Sequence, residues 1–345
     1  MNKLTIMFAA LSLALCGCSK KEEQNQIDLT QNVVHIDIAA AHPMSEVLTP
    51  KQLINFSEEC ENIMGFARNI FVRGDTIYAI SLYPSAGIFA YLKSGEQLFS
   101  YCSQGAGPED INSPSCISVT DSEISTYDDS SFKLVKIDKL GNFLEAINTP
   151  AMTLNALWDK EGNQWFDFTN QQYEDIRVSW RQNNDTAIQT VMEVPELQKG
   201  ITIIGIEALQ NLPDGTVGYT PVMEPRLYTL SDGKASVRYE LDFNGLWPDD
   251  KTFKEKFTGN AWAPNSSKFP VQQLRFHEND KYLIINFKSE KQPYIHILDK
   301  LSGKEKTLLL DPDTYINTCY IDESDLYLTR KDDQMEIMSI EKFDF

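Results

Sequence analysis

Histidine is scarce in this 345-residue chain: there are four, His35, His42, His277 and His296, each in a separate segment. No histidine or cysteine spacing matches a zinc site, and no EF-hand loop is present, so the sequence carries no metal signature. A Gly-x-Ser-x-Gly elbow is missing, which leaves an α/β-hydrolase triad without support. No Walker or dinucleotide glycine loop leads from a strand into a helix, so no cofactor is expected. Positive charge is also in short supply. Thirty-one Lys and Arg face 50 Asp and Glu, for a formal net charge of −19. Such a surface repels phosphate backbones and anionic headgroups, which argues against nucleic acid and against direct electrostatic gripping of lipid. Long apolar runs are lacking too; none approaches the roughly 20 residues of a membrane-spanning helix.

The one sustained apolar stretch is Leu4 to Leu15, behind Lys3 and ahead of Cys16-Gly17-Cys18. Positive charge, a short apolar run and small residues before a cysteine make residues 1–17 a signal peptide. The junction resembles the bacterial lipobox. That implies cleavage before Cys18 and a diacylglyceryl thioether on its sulfur, so the chain is expected to be anchored to a bilayer without spanning it. Residues 18–30 are polar and free of aromatics and read as a solvated tether. The expected location is the cell envelope, on the outer membrane.

Four further cysteines, Cys60, Cys102, Cys116 and Cys319, follow. An exported compartment permits disulfides, but four cysteines allow three complete pairings and spacing does not select among them. Cys102 with Cys116 is the nearest pair, and free buried thiols fit the pattern equally well.

The rest of the chain, residues 31–345, is ample in core-forming residues, at 42% hydrophobic and 11% aromatic. One phrase recurs in it: a polar turn, then a short run rich in β-branched and aromatic residues. It starts at Gly74-Asp75, Asp121-Ser122, Glu161-Gly162, Pro213-Asp214, Asn279-Asp280 and Glu323-Ser324. Most copies are followed by a hairpin, such as Leu134–Asp138 turning at Leu140-Gly141-Asn142 into Phe143–Ile147. Six such units predict an all-β, six-bladed β-propeller. The sixth unit runs out of chain at Phe345, one strand short. Val33–Ile38 is a strand-like segment without a hairpin partner, and is expected to join the last blade and close the ring.

The phrase Tyr101-Cys102-Ser103-Gln104-Gly105-Ala106-Gly107-Pro108-Glu109, with Ile124–Asp128 and Lys136–Phe143 behind it, resembles the six-bladed β-propeller lipoproteins of Bacteroidetes. These are similar to NHL-type propellers. The family phrase ends Gly-Pro-Gly-Glu, and its second glycine is missing here. The resemblance implies a fold and a lipid anchor, and no particular activity.

Chemistry is harder to place. His35 and His296 lie in predicted strands, where a packed or edge histidine is the common reading. Asp128-Asp129 and Asp311-Pro312-Asp313 read as turn residues. The stretch from Leu246 through Trp247, Phe253, Phe257 and Trp262 to Phe269-Pro270 lengthens one blade-to-blade connection. Loops of that length in compact domains are commonly functional. Trp247 and Trp262 are therefore the expected ligand contacts, by stacking on a sugar or anchoring a protein. The leading expectation is a membrane-anchored binding module for a glycan, a peptide or an envelope protein. The alternative is a metal-assisted hydrolase or lactonase in the central channel, for which no catalytic residue stands out.

Overall fold

The computed structural model describes residues 32–56, 62, 64–65, 67–168, 175–199, 208–256 and 269–340. They form six sheets arranged as six blades, antiparallel within each blade. In the first blade the strands are Asn69–Arg73, Thr76–Ser81, Gly87–Leu92 and Gln97–Tyr101. The second runs Pro114–Val119, Glu123–Asp128, Lys133–Asp138 and Phe143–Asn148, and the third Thr153–Trp158, Gln164–Phe168, Ile176–Arg181 and Gln189–Glu193. Leu209–Asn211, Val217–Tyr219, Arg226–Ser231 and Lys234–Asp242 make the fourth. The fifth contains Gln272–Glu278, Tyr282–Ser289, Gln292–Asp299 and Glu305–Leu309; the sixth contains Tyr315–Asp322, Asp325–Arg330 and Gln334–Ser339. The opening strand of each blade lies innermost, and those of blades five, six, one, two, three and four touch one another in that order around the channel. All six polar phrases seen in the sequence are the turns between first and second strands.

The apolar pattern follows from this stacking. A middle strand is covered on both faces by neighbouring blades, so Thr76–Ser81 and Gly87–Leu92 are buried almost throughout. An outer strand has little cover, and Phe143–Asn148 is exposed along most of its length. Six clusters of buried side chains fill the six gaps between adjacent blades. One of them joins Tyr327 and Met335 of the sixth blade to Ile70 and Phe89 of the first, so the ring is closed by core packing.

The N-terminal segment closes the last blade, but with a different strand from the one expected. Thr49–Asn55 pairs antiparallel with Gln334–Ser339. Val33–His35, the start of the segment expected in that place, pairs parallel with Lys234–Asp242 on the outside of the fourth blade. His42–Pro43 pairs parallel with Glu305–Leu309 on the fifth. The N-terminal chain is thus a belt around the outer edges of blades four, five and six. It is pinned by Val34, Ile36, Met44, Leu48 and Ile54, each at most 3% exposed. Pattern reading missed the closing strand because an outer strand need not alternate: in Thr49–Asn55 only Ile54 is buried. Pro50 is admissible there because the edge strand need not donate every hydrogen bond.

Candidate functional site

Inner strands of a propeller converge on a channel, and here one mouth of the channel opens into a cavity of 580 Å³. That size lies within the range of small-ligand pockets, about 300–1,000 Å³. All six blades contribute to its lining.

The wall is divided by blade. Phe71 of the first blade, Tyr320 of the sixth and His277 of the fifth form a continuous aromatic arc. The Tyr320 ring lies 5.2 Å from Phe71 and 5.3 Å from His277. All three residues are largely but not fully buried, unlike most of the apolar residues on the same strands, which are fully covered. The facing arc, from the third and fourth blades, carries Lys160, Gln210 and Asn211 beside Leu212 and Pro213. The Asn211 Nδ2 donates to the Trp158 carbonyl at 3.2 Å and to Ser118 Oγ, tying blades two, three and four together. Its Oδ1 has no hydrogen-bond partner among the described residues. Neither do the ring nitrogens of His277 or the Tyr320 hydroxyl. Burial, with Arg275 nearby, pushes the His277 imidazolium down to about pKa 3, so the ring is neutral at physiological pH. Burial, aided by Asp322, raises the Tyr320 phenol well above its usual value.

The rim carries charge of both signs, and each charge is paired. Arg73 meets Asp121, and Arg238 meets Glu278. Tyr239 also donates to Glu278, at 3.1 Å. Lys93 lies 3.3 Å from Asp322, and Lys160 3.7 Å from Glu161. The carboxylates are therefore held by bases around the mouth and do not converge on one point. Among the described residues, no group of three or more His, Cys, Asp or Glu is placed to hold a metal ion.

Trp247 lies elsewhere. It is partly buried, stacked on Phe243 at 5.7 Å and edge-on to Phe269 at 5.3 Å. Its remaining surface lines a 570 Å³ groove with Met192, Tyr228 and Phe253, between the third and fourth blades. The insertion contains a short helix, Asp250–Lys256, which Phe253 seats against Phe269 and Met223. Trp262 lies outside the described residues, as do Cys18 and Cys60.

The other sequence candidates resolve into structure. Asp128 is not a solvated turn residue: it ends the strand Glu123–Asp128 and is fully buried. Burial works against its charge, but hydrogen bonds from Ser131, Ser130, Ser113 and Asn112 hold its carboxyl below the usual range. Asp311 accepts the backbone N–H of Asp313 at 3.0 Å and the Thr314 hydroxyl at 2.5 Å. The glycine phrase is a tight turn, in which Asp110 accepts from Ser103 Oγ and the Gly107 N–H, both at 2.6 Å. His296 is buried on its strand, with Nδ1 3.1 Å from Thr307 Oγ1. Cys102, Cys116 and Cys319 are free thiols, so no bridge joins Cys102 to Cys116.

Sequence reasoning did not find the channel mouth. His277, Tyr320 and Phe71 sit in different blades, about 250 residues apart at the widest, and each reads locally as one more strand residue. The only available signal was their position, two or three residues before a blade's first turn.

A protein of Bacteroides fragilis whose name describes it as exported superposes with a TM-score of 0.70, at 12% identity, covering 89% of this chain and 98% of its own. A DUF4221-family protein of Bacteroides vulgatus gives 0.58 at 10% identity, covering 85% and 97%. A streptogramin B lyase gives 0.50 at 12% identity, covering 83% and 97%. At these identities the likeness is one of fold. No curated protein sequence matches the chain. Residues 20–337 match the family described as 6-bladed beta-propeller, DUF5128, and the chain belongs to it.

Proposed function

We propose that this protein is an exported, lipid-anchored binding propeller whose ligand sits in the cavity at the channel mouth. One observation carries this reading: a pocket built by all six blades, walled by three aromatic residues of which His277 and Tyr320 have polar atoms without a hydrogen-bond partner among the described residues. Unpaired polar groups in a concave site are the usual means of orienting a ligand. Catalysis is less well served. A general base works best with a pKa near the operating pH, and a neutral imidazole whose conjugate acid lies near 3 is a poor one. The acids of the rim are engaged with Arg and Lys and are not aimed at a common cation.

Export is supported by the leader-like residues 1–17 and by the name of the Bacteroides fragilis relative. Among the described residues, no helix is long and apolar enough to cross a membrane. Cys18 is the proposed lipid site, and its tether would hold the propeller near the outer membrane. Trp247 and Trp262 are proposed as secondary contacts for a protein or glycan at the neighbouring groove.

The test is a thermal-shift screen of the full chain against saccharides, short peptides and divalent cations, with Phe71→Leu and Tyr320→Leu in parallel. A compound that raises the melting temperature of the parent, fails to do so in both variants and is recovered unchanged is the expected result. Chemical conversion of that compound would instead establish the channel enzyme. Cys18→Ala should move the chain from the membrane to the soluble fraction; continued membrane retention would remove the anchor.

A further inference from the structure

We infer that the channel-mouth cavity binds a neutral sugar ring, laid flat on the Phe71–Tyr320–His277 arc with its hydroxyls directed at the arc opposite. The inference rests on the cavity being the binding site and names the class of ligand. Three observations lead to it.

The first is the division of the wall. Blades five, six and one are contiguous in the ring and supply all three aromatic rings of the lining, edged by ion-paired side chains, while blades three and four supply the neutral amides Gln210 and Asn211 with Lys160. A pyranose has the matching asymmetry: an apolar face of C–H groups that stacks on aromatic rings, and an edge of hydroxyls. A purely apolar ligand would leave the polar arc desolvated, and a flexible peptide would leave the aromatic arc partly uncovered.

The second is the hydrogen-bond inventory. The unprotonated nitrogen of His277 and the Tyr320 oxygen are acceptors without a hydrogen-bond partner among the described residues, whereas the unpartnered Oδ1 of Asn211 is itself buried. The neutral His277 ring and the Tyr320 hydroxyl each also offer a donor. A sugar hydroxyl is donor and acceptor at once, and suits a site that presents both kinds.

The third is charge. Arg73, Asp121, Lys160, Glu278 and Asp322 all line the cavity, and each is already paired with an opposite charge. A phosphate, a carboxylate or an ammonium would have to compete with the partner already in place. A neutral ligand leaves them intact.

Isothermal titration of the full chain with methyl glucoside, methyl galactoside, N-acetylglucosamine, maltose and cellobiose tests the assignment, with glucuronate, glycylglycine and inorganic phosphate as charged probes. At least one neutral saccharide should bind. Its Kd should rise tenfold or more in Tyr320→Leu and at least threefold in Gln210→Ala, on the opposite arc. Leu144→Ala, on an exposed outer strand that lines neither the cavity nor the groove, should leave it within twofold. Saturation transfer from the protein should be strongest at the C–H protons of one sugar face. Binding confined to charged probes and lost in Tyr320→Leu overturns the sugar assignment while leaving the cavity as the binding site. Saccharide binding that survives Tyr320→Leu and Gln210→Ala but falls in Trp247→Phe places the sugar in the groove and overturns the inference. Silence from every probe overturns the inference together with the binding reading beneath it.

Discussion

Lys93 of the first blade and Asp322 of the sixth meet across the ring closure, with Nζ 3.3 Å from Oδ2. The same ammonium lies 5.5 Å above the ring of Tyr327. The carbonyl of Lys93 accepts a 2.7 Å hydrogen bond from Gln52 Nε2, on the strand that completes the last blade. Two residues on, Gly95 turns with φ of +94°, and a Cβ there would collide with the carbonyl of Asn55. First blade, last blade and N-terminal belt thus share one joint. Its strength should lie in the apolar layer beneath. Lys93→Met is expected to cost about 1 kcal/mol in urea unfolding, as for a partly exposed ion pair. Ile54→Ala, which empties a 1%-exposed position in the same seam, should cost about 2–5 kcal/mol. Equal effects from the two would contradict this ordering.

Stability should fall as pH rises through the titration of Asp167. Burial pushes its carboxyl up to about 6, against the opposing pull of Arg177 and hydrogen bonds from Tyr219 and Asn155. The Tyr219 hydroxyl donates to it at 3.0 Å. Because the folded-state pKa is raised, the folded protein holds a proton that the unfolded chain releases between about pH 4 and pH 6. The stabilisation is complete below about pH 4 and lost above about pH 6. Asp167→Asn keeps the neutral form at every pH. It should raise stability at pH 7 by about 1–3 kcal/mol and flatten the slope between pH 4 and 6. Denaturation curves across that range would check it.

Lys139 should be the most reactive amine of the native fold at pH 8. Burial, with Arg73 nearby, lowers its pKa to about 8, and its ammonium sits 4.5 Å over the Tyr78 ring. About half of its molecules are then unprotonated at pH 8, against less than about one in a hundred for an ordinary lysine. A brief acetic anhydride pulse followed by peptide mass spectrometry should find Lys139 modified ahead of exposed Lys160. Preferential labelling of Lys160 would show that steric cover outweighs the lowered pKa.

Cys102, Cys116 and Cys319 should resist iodoacetamide in the native state and react after unfolding. Burial raises the thiols of Cys102 and Cys319 to about 12, where the reactive thiolate is almost absent at neutral pH. Cys116 is 2% exposed. Native labelling at any of the three, read by mass spectrometry, would mark a local opening of its blade.

How legible each part was depended on how local its cause is. A turn such as Asp121-Ser122 is made by its own residues, and so is the alternation that follows it; hence the blades could be counted. The closing strand could not be identified, because Thr49–Asn55 owes its place to the open edge of Gln334–Ser339, nearly 300 residues away. Val33–His35 is the more strand-like segment, and its apolar side chains found a different edge, on the fourth blade.

The sequence alone determined the six-unit repeat, the all-β class, the acidic surface and the leader-like start, since each is a matter of composition or of neighbours along the chain. Tertiary structure alone decided which edge each belt strand covers, that three of the cysteines stay unbridged and that Phe71, Tyr320 and His277 form one wall. A propeller draws its channel from one short strand per blade, so residues with nothing in common along the chain become neighbours only when the ring closes.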